Sequence, residues 1–158
     1  MAPQPVAVAT LLRTIRQEDA EDHHLEAYAE AMEGFGRMVT SVLGIGADTI
    51  SLILDDGNVL KIGTRTLEPE MGNRAFDLPI LLRGIRKLRY WDHDYLYRYF
   101  IQPMAEEITE AQYRAFVKEV YGHGYWFSDP RQRNVGYYRA ENRVALIDPW
   151  AVEKLRLK

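Results

Sequence analysis

The stretch from Phe127 to Asp148 spaces an acid, Asp129, an amide five positions on, Asn134, and a second acid, Asp148. Asp148 follows the apolar, strand-like run Val144-Ala145-Leu146-Ile147. Phosphoryl transfer calls for such a set: one group to orient a hydroxyl nucleophile, and hard oxygen ligands to hold magnesium against a triphosphate. Asp129 suits the first task as a general base or orienting acid. Asn134 and Asp148 suit the second. Singly, each has a plainer explanation: Asp129-Pro130 makes a good turn, Asn134 caps one, and Asp148 ends a strand before Pro149. Arg131 and Arg133, between the acid and the amide, can neutralise phosphate charge or engage an acidic acceptor, or simply stay solvated.

Upstream, Lys61 stands in the apolar strand Val59-Leu60-Lys61-Ile62, where alternation sets it opposite Leu60 and Ile62. A snorkelling surface lysine has the same pattern. Leu43-Gly44-Ile45-Gly46-Ala47-Asp48 is expected between two strands, and its glycines let backbone amides approach an anion. A single G-x-G is also an ordinary tight turn, and Asp48 has the wrong charge to face a triphosphate. Glu70 is the expected acidic partner of Lys61, with Glu68 and Asp77 as alternatives. Pro69, Gly72 and Pro79 make a regular helix doubtful there.

The elements that must position these groups follow from periodicity. Apolar residues recur at three- and four-residue intervals over 10–33, predicting a helix that Gly34-Phe35-Gly36 ends. Residues 38–43, 49–54 and 59–62 read as consecutive antiparallel strands, the last two joined by the turn Asp56-Gly57-Asn58. Residues 64–84 give no clear signal. The aromatic segment Leu88 to Gln102 reads as two strands hinged at Asp92-His93-Asp94. With Arg89 and Arg98 as its recognised basic residues, core packing is expected of it rather than base stacking. Thr109 and Gln112 form a capping-box pattern opening a helix through Tyr121, with Tyr113, Phe116, Val117 and Val120 on its apolar face. A loop at 127–136 and a short hairpin follow.

The spacing D-x4-N, then a strand and Asp148, with Lys61 on an earlier strand, resembles the catalytic and metal-binding loops of the protein-kinase-like superfamily. It looks closest to the aminoglycoside-phosphotransferase branch, whose second acid also follows Ile. The resemblance runs from about Met38 to Val152. It implies an α+β fold: a protein-kinase-like core with an antiparallel sheet, an N-terminal helix and a truncated helical C-lobe. The implied single domain divides into a helical extension (1–36), an N-lobe-like sheet (37–103) and a minimal C-lobe with the catalytic and metal loops (104–158). It further implies that Gly44, Gly46 and Lys61 bind nucleotide, that Asp129 and Lys61 are catalytic, and that Asn134 and Asp148 hold Mg2+ with ATP. The chain departs from the family pattern at Phe127, where His or Tyr is usual. It also has only ten residues after Asp148, where the family places a large helical lobe that carries much of the acceptor platform.

The function so implied is a minimal kinase-like phosphotransferase moving the ATP γ-phosphoryl group to a hydroxyl, a protein hydroxyl included. The alternative is a non-catalytic, pseudokinase-like module that regulates a protein partner. A domain lacking its expected lobe also invites completion by a second copy. Composition narrows the field. The net charge of −3 argues against a dedicated nucleic-acid binder. Zero cysteines exclude disulfides and thiolate zinc sites. His23-His24 point apart on a helix, and His93 and His123 lack metal-ligand spacing. No signal-peptide pattern or membrane-spanning apolar stretch is recognised, so a cytoplasmic protein, or one delivered to a host cytoplasm, is expected.

Overall fold

The computed structural model describes residues 39–45, 49–63, 65–90 and 93–156. The helix expected over 10–33 lies outside them, as does Gly46. The described chain is α+β and groups into two compact units, residues 39–67 with 81–102 and residues 68–80 with 103–156. Segment 68–80 thus belongs with the C-terminal residues, although sequence order places it among the strands.

The first unit is a five-stranded antiparallel sheet of β1 (Val39–Ile45), β2 (Thr49–Leu54), β3 (Val59–Gly63), β4 (Leu82–Tyr90) and β5 (His93–Gln102), in the order β1-β2-β3-β5-β4. Alternation decides which way each strand faces. In β2, Ile50, Leu52 and Leu54 are buried while Thr49, Ser51 and Ile53 are half-buried. Leu60 and Ile62 of β3 pair with Leu52 and Ile50, and on their other side with Ile101 and Tyr99 of β5, so one face is continuously apolar. The β2–β3 turn uses Gly57 at φ 84, which a side chain would resist, and the Asp56 carboxylate accepts from the Asn58 backbone and side-chain amides.

Two boundaries differ from expectation. Leu43, Gly44 and Ile45 belong to β1, whose pairing with β2 carries register irregularities around Ser41 and Gly44, so the strand runs further than the glycine pattern suggested. The aromatic hairpin begins at Leu82, and His93 and Asp94 lie within β5 rather than at a hinge.

The second unit packs helix α1 (Glu110–Gly122) against two small sheets. These are β6 (Tyr125–Phe127) with β9 (Val152–Lys154), and β7 (Val135–Tyr138) with β8 (Arg143–Leu146). The helix starts where its capping box predicts: the Thr109 hydroxyl accepts from Gln112 N at 3.1 Å, and the Gln112 amide oxygen accepts from Thr109 N at 2.8 Å. Phe116 and Val120 are buried in a core with Phe76, Ile108, Phe127, Val135, Leu146, Ala151 and Val152. Segment 68–80 is a series of turns, not a helix, and it joins this core through Phe76 and two backbone bonds. Leu78 N donates to Leu146 O, and Leu146 N to Phe76 O, both at 2.8 Å. Among the described residues no helix is long and apolar enough to cross a membrane.

Candidate functional site

Phe127, at the end of β6, is buried against α1, with its ring edge-on to Tyr113 and Phe116. That packing explains an aromatic two residues before Asp129. The chain then turns outward, and Ala151 holds the start of the turn. Ala151 O accepts from Ser128 N at 2.9 Å, Asp129 N at 3.1 Å and the Ser128 hydroxyl at 3.2 Å. The Asp129 carboxylate is partly exposed, and its Oδ1 pairs with Arg131 Nε at 2.9 Å. Tyr113 stands nearby. Burial raises the pKa of its hydroxyl above the ordinary 10.0, and the negative charge of Asp129 raises it further.

Asn134 closes the loop. It is buried at 8% exposure, and its Nδ2 donates to Asp129 O at 3.1 Å. Its own carbonyl accepts from Ile147 N at 2.8 Å and Asp148 N at 3.4 Å. One residue therefore fixes the backbone at both acids, and Asn134 and Asp148 lie side by side. The loop between is further held by Gln132 Nε2, which donates to Ile108 O at 2.7 Å. Gly136, next along β7, permits close approach: a Cβ there would lie 2.7 Å from Ala105 Cβ, 2.9 Å from Ile147 Cδ1 and 3.0 Å from Glu106 O.

Asp148 is also an N-cap. Its Oδ1 accepts from Trp150 N at 3.0 Å, starting the 3-10 turn Pro149–Ala151. Among the described residues, Asp148 Oδ2 and Asn134 Oδ1 accept no hydrogen bond. No cluster of three or more His, Cys, Asp or Glu able to hold a metal occurs among the described residues. A carboxylate and an amide oxygen nevertheless fit magnesium, which completes its shell with water and substrate phosphate rather than an all-protein cage.

A second layer behind this turn has no sequence motif. Arg74, on segment 68–80, is 9% exposed at its side chain. Its Nε binds Asp77 Oδ2 at 2.8 Å, its Nη2 donates to Pro149 O at 3.0 Å, and its guanidinium lies over the Phe76 and Tyr125 rings. Asp77 is buried, and its Oδ2 also accepts from Gly72 N and Arg74 N. Arg143 adds bonds to Asp77 O at 2.7 Å and Ala75 O at 3.4 Å. The residue directly after Asp148 is thus anchored by a buried ion pair. Sequence reading offered Asp77 only as an alternative partner for Lys61; here its carboxylate is engaged by Arg74.

The remaining candidates lie in the first unit or on the connecting turns. Lys61 sits in the middle of β3, half-buried, paired with Ser51 and Phe100, with its ammonium 5.7 Å from the centre of the Phe100 ring. Gly44 is within β1, with open space around its Cα. Glu68 and Glu70 are exposed on the turns before Gly72.

No protein-family profile and no curated protein sequence matches the chain. Among solved structures, it is similar to the kinase PK-1 of Cydia pomonella granulovirus, with a TM-score of 0.42 and 12% identity. The match covers 80% of this chain and 56% of that one, so the chain spans little more than half that kinase's length. A likeness at this level decides neither fold family nor activity, and the geometry of Asp129, Asn134 and Asp148 has to speak for itself.

Proposed function

We propose that the chain is a minimal, kinase-like phosphotransferase that uses ATP with Mg2+ and passes the γ-phosphoryl group to a hydroxyl acceptor. The observation that carries the reading is Asn134. Its side chain fixes the backbone at Asp129 while its carbonyl fixes the backbone at Asp148. Three isolated turn and cap residues have no need of that linkage. A site that aligns an acceptor and a metal-bound phosphate does.

In this reading the acceptor oxygen attacks the γ-phosphorus, the bond from that phosphorus to the β–γ bridging oxygen breaks, and ADP leaves. Asp129 orients the acceptor hydroxyl and receives its proton at Oδ2, with Oδ1 occupied by Arg131. Asn134 Oδ1 and Asp148 Oδ2 hold magnesium, which supplies charge neutralisation on the phosphates when bound. Lys61 binds phosphate oxygens, and Gly44 with Gly46 offers backbone amides to them. Glu70 is the proposed partner of Lys61. The aminoglycoside-phosphotransferase branch rests on Ile147 preceding Asp148 alone. The proposed acceptor is a hydroxyl, a protein hydroxyl included.

Thermal stability measured with ATP, with Mg2+ and with both tests this directly, since a ligand that binds only the native state raises the melting temperature. The expected result is a rise requiring both together, lost in Asp148→Ala and also in Asp148→Asn. The second variant keeps an oxygen for the Trp150 cap, so its failure reads the metal role and not the fold. Absence of any shift at saturating nucleotide would overturn the reading and leave a module that works through a protein partner.

A further inference from the structure

The β4–β5 hairpin stands apart from the rest of the first unit in charge, surface and edge. Residues 82–102 carry five basic side chains, Arg83, Arg86, Lys87, Arg89 and Arg98, against two acidic ones, Asp92 and Asp94, in a chain of net charge −3. Large apolar side chains are exposed on the same element: Ile85 at 59%, Leu96 at 50% and Leu82 at 44%, with Leu81 at 53% just before it. The sequence pattern from Leu88 to Gln102 singles out only Arg89 and Arg98. Pairing the strands reveals that Arg83, Ile85 and Lys87 share a face with Arg98 and Leu96, while Leu82 and Arg86 lie on the other.

β4 is also the last strand of the sheet. β3 reaches only residues 98–102 of β5, so residues 86–90 and 93–97 continue beyond it as a two-stranded ribbon. No described strand pairs with the outer side of β4, and such an edge is a template for a further strand. Basic residues on an edge ordinarily discourage pairing. That repulsion acts against neutral or basic strands, and most of all against a second copy of this edge, which would set Arg and Lys opposite Arg and Lys. It does not act against an acidic strand, and the exposed Ile85 and Leu82 give such a strand apolar surface to cover.

We propose that the outer edge of β4 takes up an extended acidic segment of a partner protein as an added strand. Acidic side chains lie opposite Arg83 and opposite Lys87, whose ammonium is shared with Asp94 of β5 at 3.2 Å, and an apolar one lies opposite Ile85. This surface is independent of the phosphotransfer reading.

The test uses the full chain and a fluorescent peptide matching the nine residues of β4 in length, whose one face alternates Glu and Val to meet Arg83, Ile85 and Lys87 while Thr fills the positions between. Controls are a peptide of the same composition with its glutamates clustered at one end, and a single-stranded oligonucleotide. Binding is followed by anisotropy, and the site by amide hydrogen exchange. The expected result is binding of the alternating peptide, slowed exchange within residues 82–90, and roughly tenfold or greater weakening in Arg83→Glu/Lys87→Glu. Both positions are exposed, so that variant should fold; Ile85→Lys provides a second check. No binding of the alternating peptide, or binding unaffected by charge reversal, overturns the proposal. So does equal binding of the clustered peptide or the oligonucleotide without β4 protection, which would make the hairpin a general polyanion surface. Protection without peptide of the outward-facing β4 amides, the alternate set that β5 does not bond, would put this chain's own acidic stretch from Glu18 to Glu33 on the edge, and would overturn the partner reading too.

Discussion

The sheet and the Asp129–Asn134 loop hold their candidate residues by different means. Lys61 is placed by strand register: its neighbours Leu60 and Ile62 point into an apolar face, and Lys61 follows from alternation. Asp129 and Asp148 are placed by individual hydrogen bonds from Asn134, Ala151 and Trp150, reinforced by Arg74 from segment 68–80. A register is shared among many residues and tolerates the loss of one. A loop built from single bonds does not, so the same size of perturbation should lower stability in one region and abolish function in the other.

Arg74→Ala should show the largest effect. It leaves Asp77 buried without its cation, a change that costs about 3–5 kcal/mol, and it frees Pro149 O. Denaturant unfolding measures the first effect, and loss of the magnesium-dependent ATP shift in the remaining folded protein measures the second. Leu52→Ala, in the sheet core, should cost a comparable or slightly smaller amount, about 2–5 kcal/mol, yet leave that shift intact at temperatures where the protein is folded. If both variants lose the shift in proportion to stability, the contrast between the regions fails.

The glycines sharpen the contrast at lower energy. Gly136→Ala forces a Cβ against Ala105, Ile147 and the backbone oxygen of Glu106, and overpacking of this kind costs about 1–3 kcal/mol. Gly84→Ala forces a Cβ against the ring of the buried Tyr99, so its melting temperature should fall too, yet the magnesium-dependent ATP shift should persist. Asn134→Ala should cost only about 1 kcal/mol for its side-chain bond while removing the magnesium effect entirely.

The smallest effect concerns Tyr113. Its raised pKa favours the folded state below the ordinary value of about 10, and that contribution is lost as pH climbs through the folded value. Asp129→Asn removes one cause, so the Tyr113 titration should move down toward 10 while burial keeps it above. Carbon-labelled tyrosine resonances would report it, and an unmoved titration would mean that Asp129 does not act on this hydroxyl.

Much of this was legible where a local pattern decides structure. The Thr109–Gln112 box and the spacing of Phe116 and Val120 located α1, and alternation located β2 and β3. Segment 68–80 was not legible, because nothing local holds its core contacts: Phe76, Leu78 and Arg74 are fixed by Leu146 and Pro149, far along the chain. β4 was read six residues short because its alternate positions are charged rather than polar and apolar, and Gly84 interrupts the apolar row. At the site, types and spacing singled out Asp129, Asn134 and Asp148. The bonds that join them came only from structure, and Arg74 behind them carried no sequence signal beyond an Arg three residues before an Asp.

The excursion of segment 68–80 into the second unit bears on how the protein is made. Arg74 emerges from the ribosome 75 residues before Pro149, its acceptor, and Asp77 O precedes Arg143 by 66. During synthesis the segment must wait, with Phe76 exposed, until β8 and the turn after it have been translated. Cutting the gene between the halves would not separate the units either. A piece beginning at Pro103 lacks Phe76, Asp77 and Leu78, whereas one beginning at Glu68 carries the whole β4–β5 hairpin as an insertion. The second unit is therefore late to fold and hard to express alone.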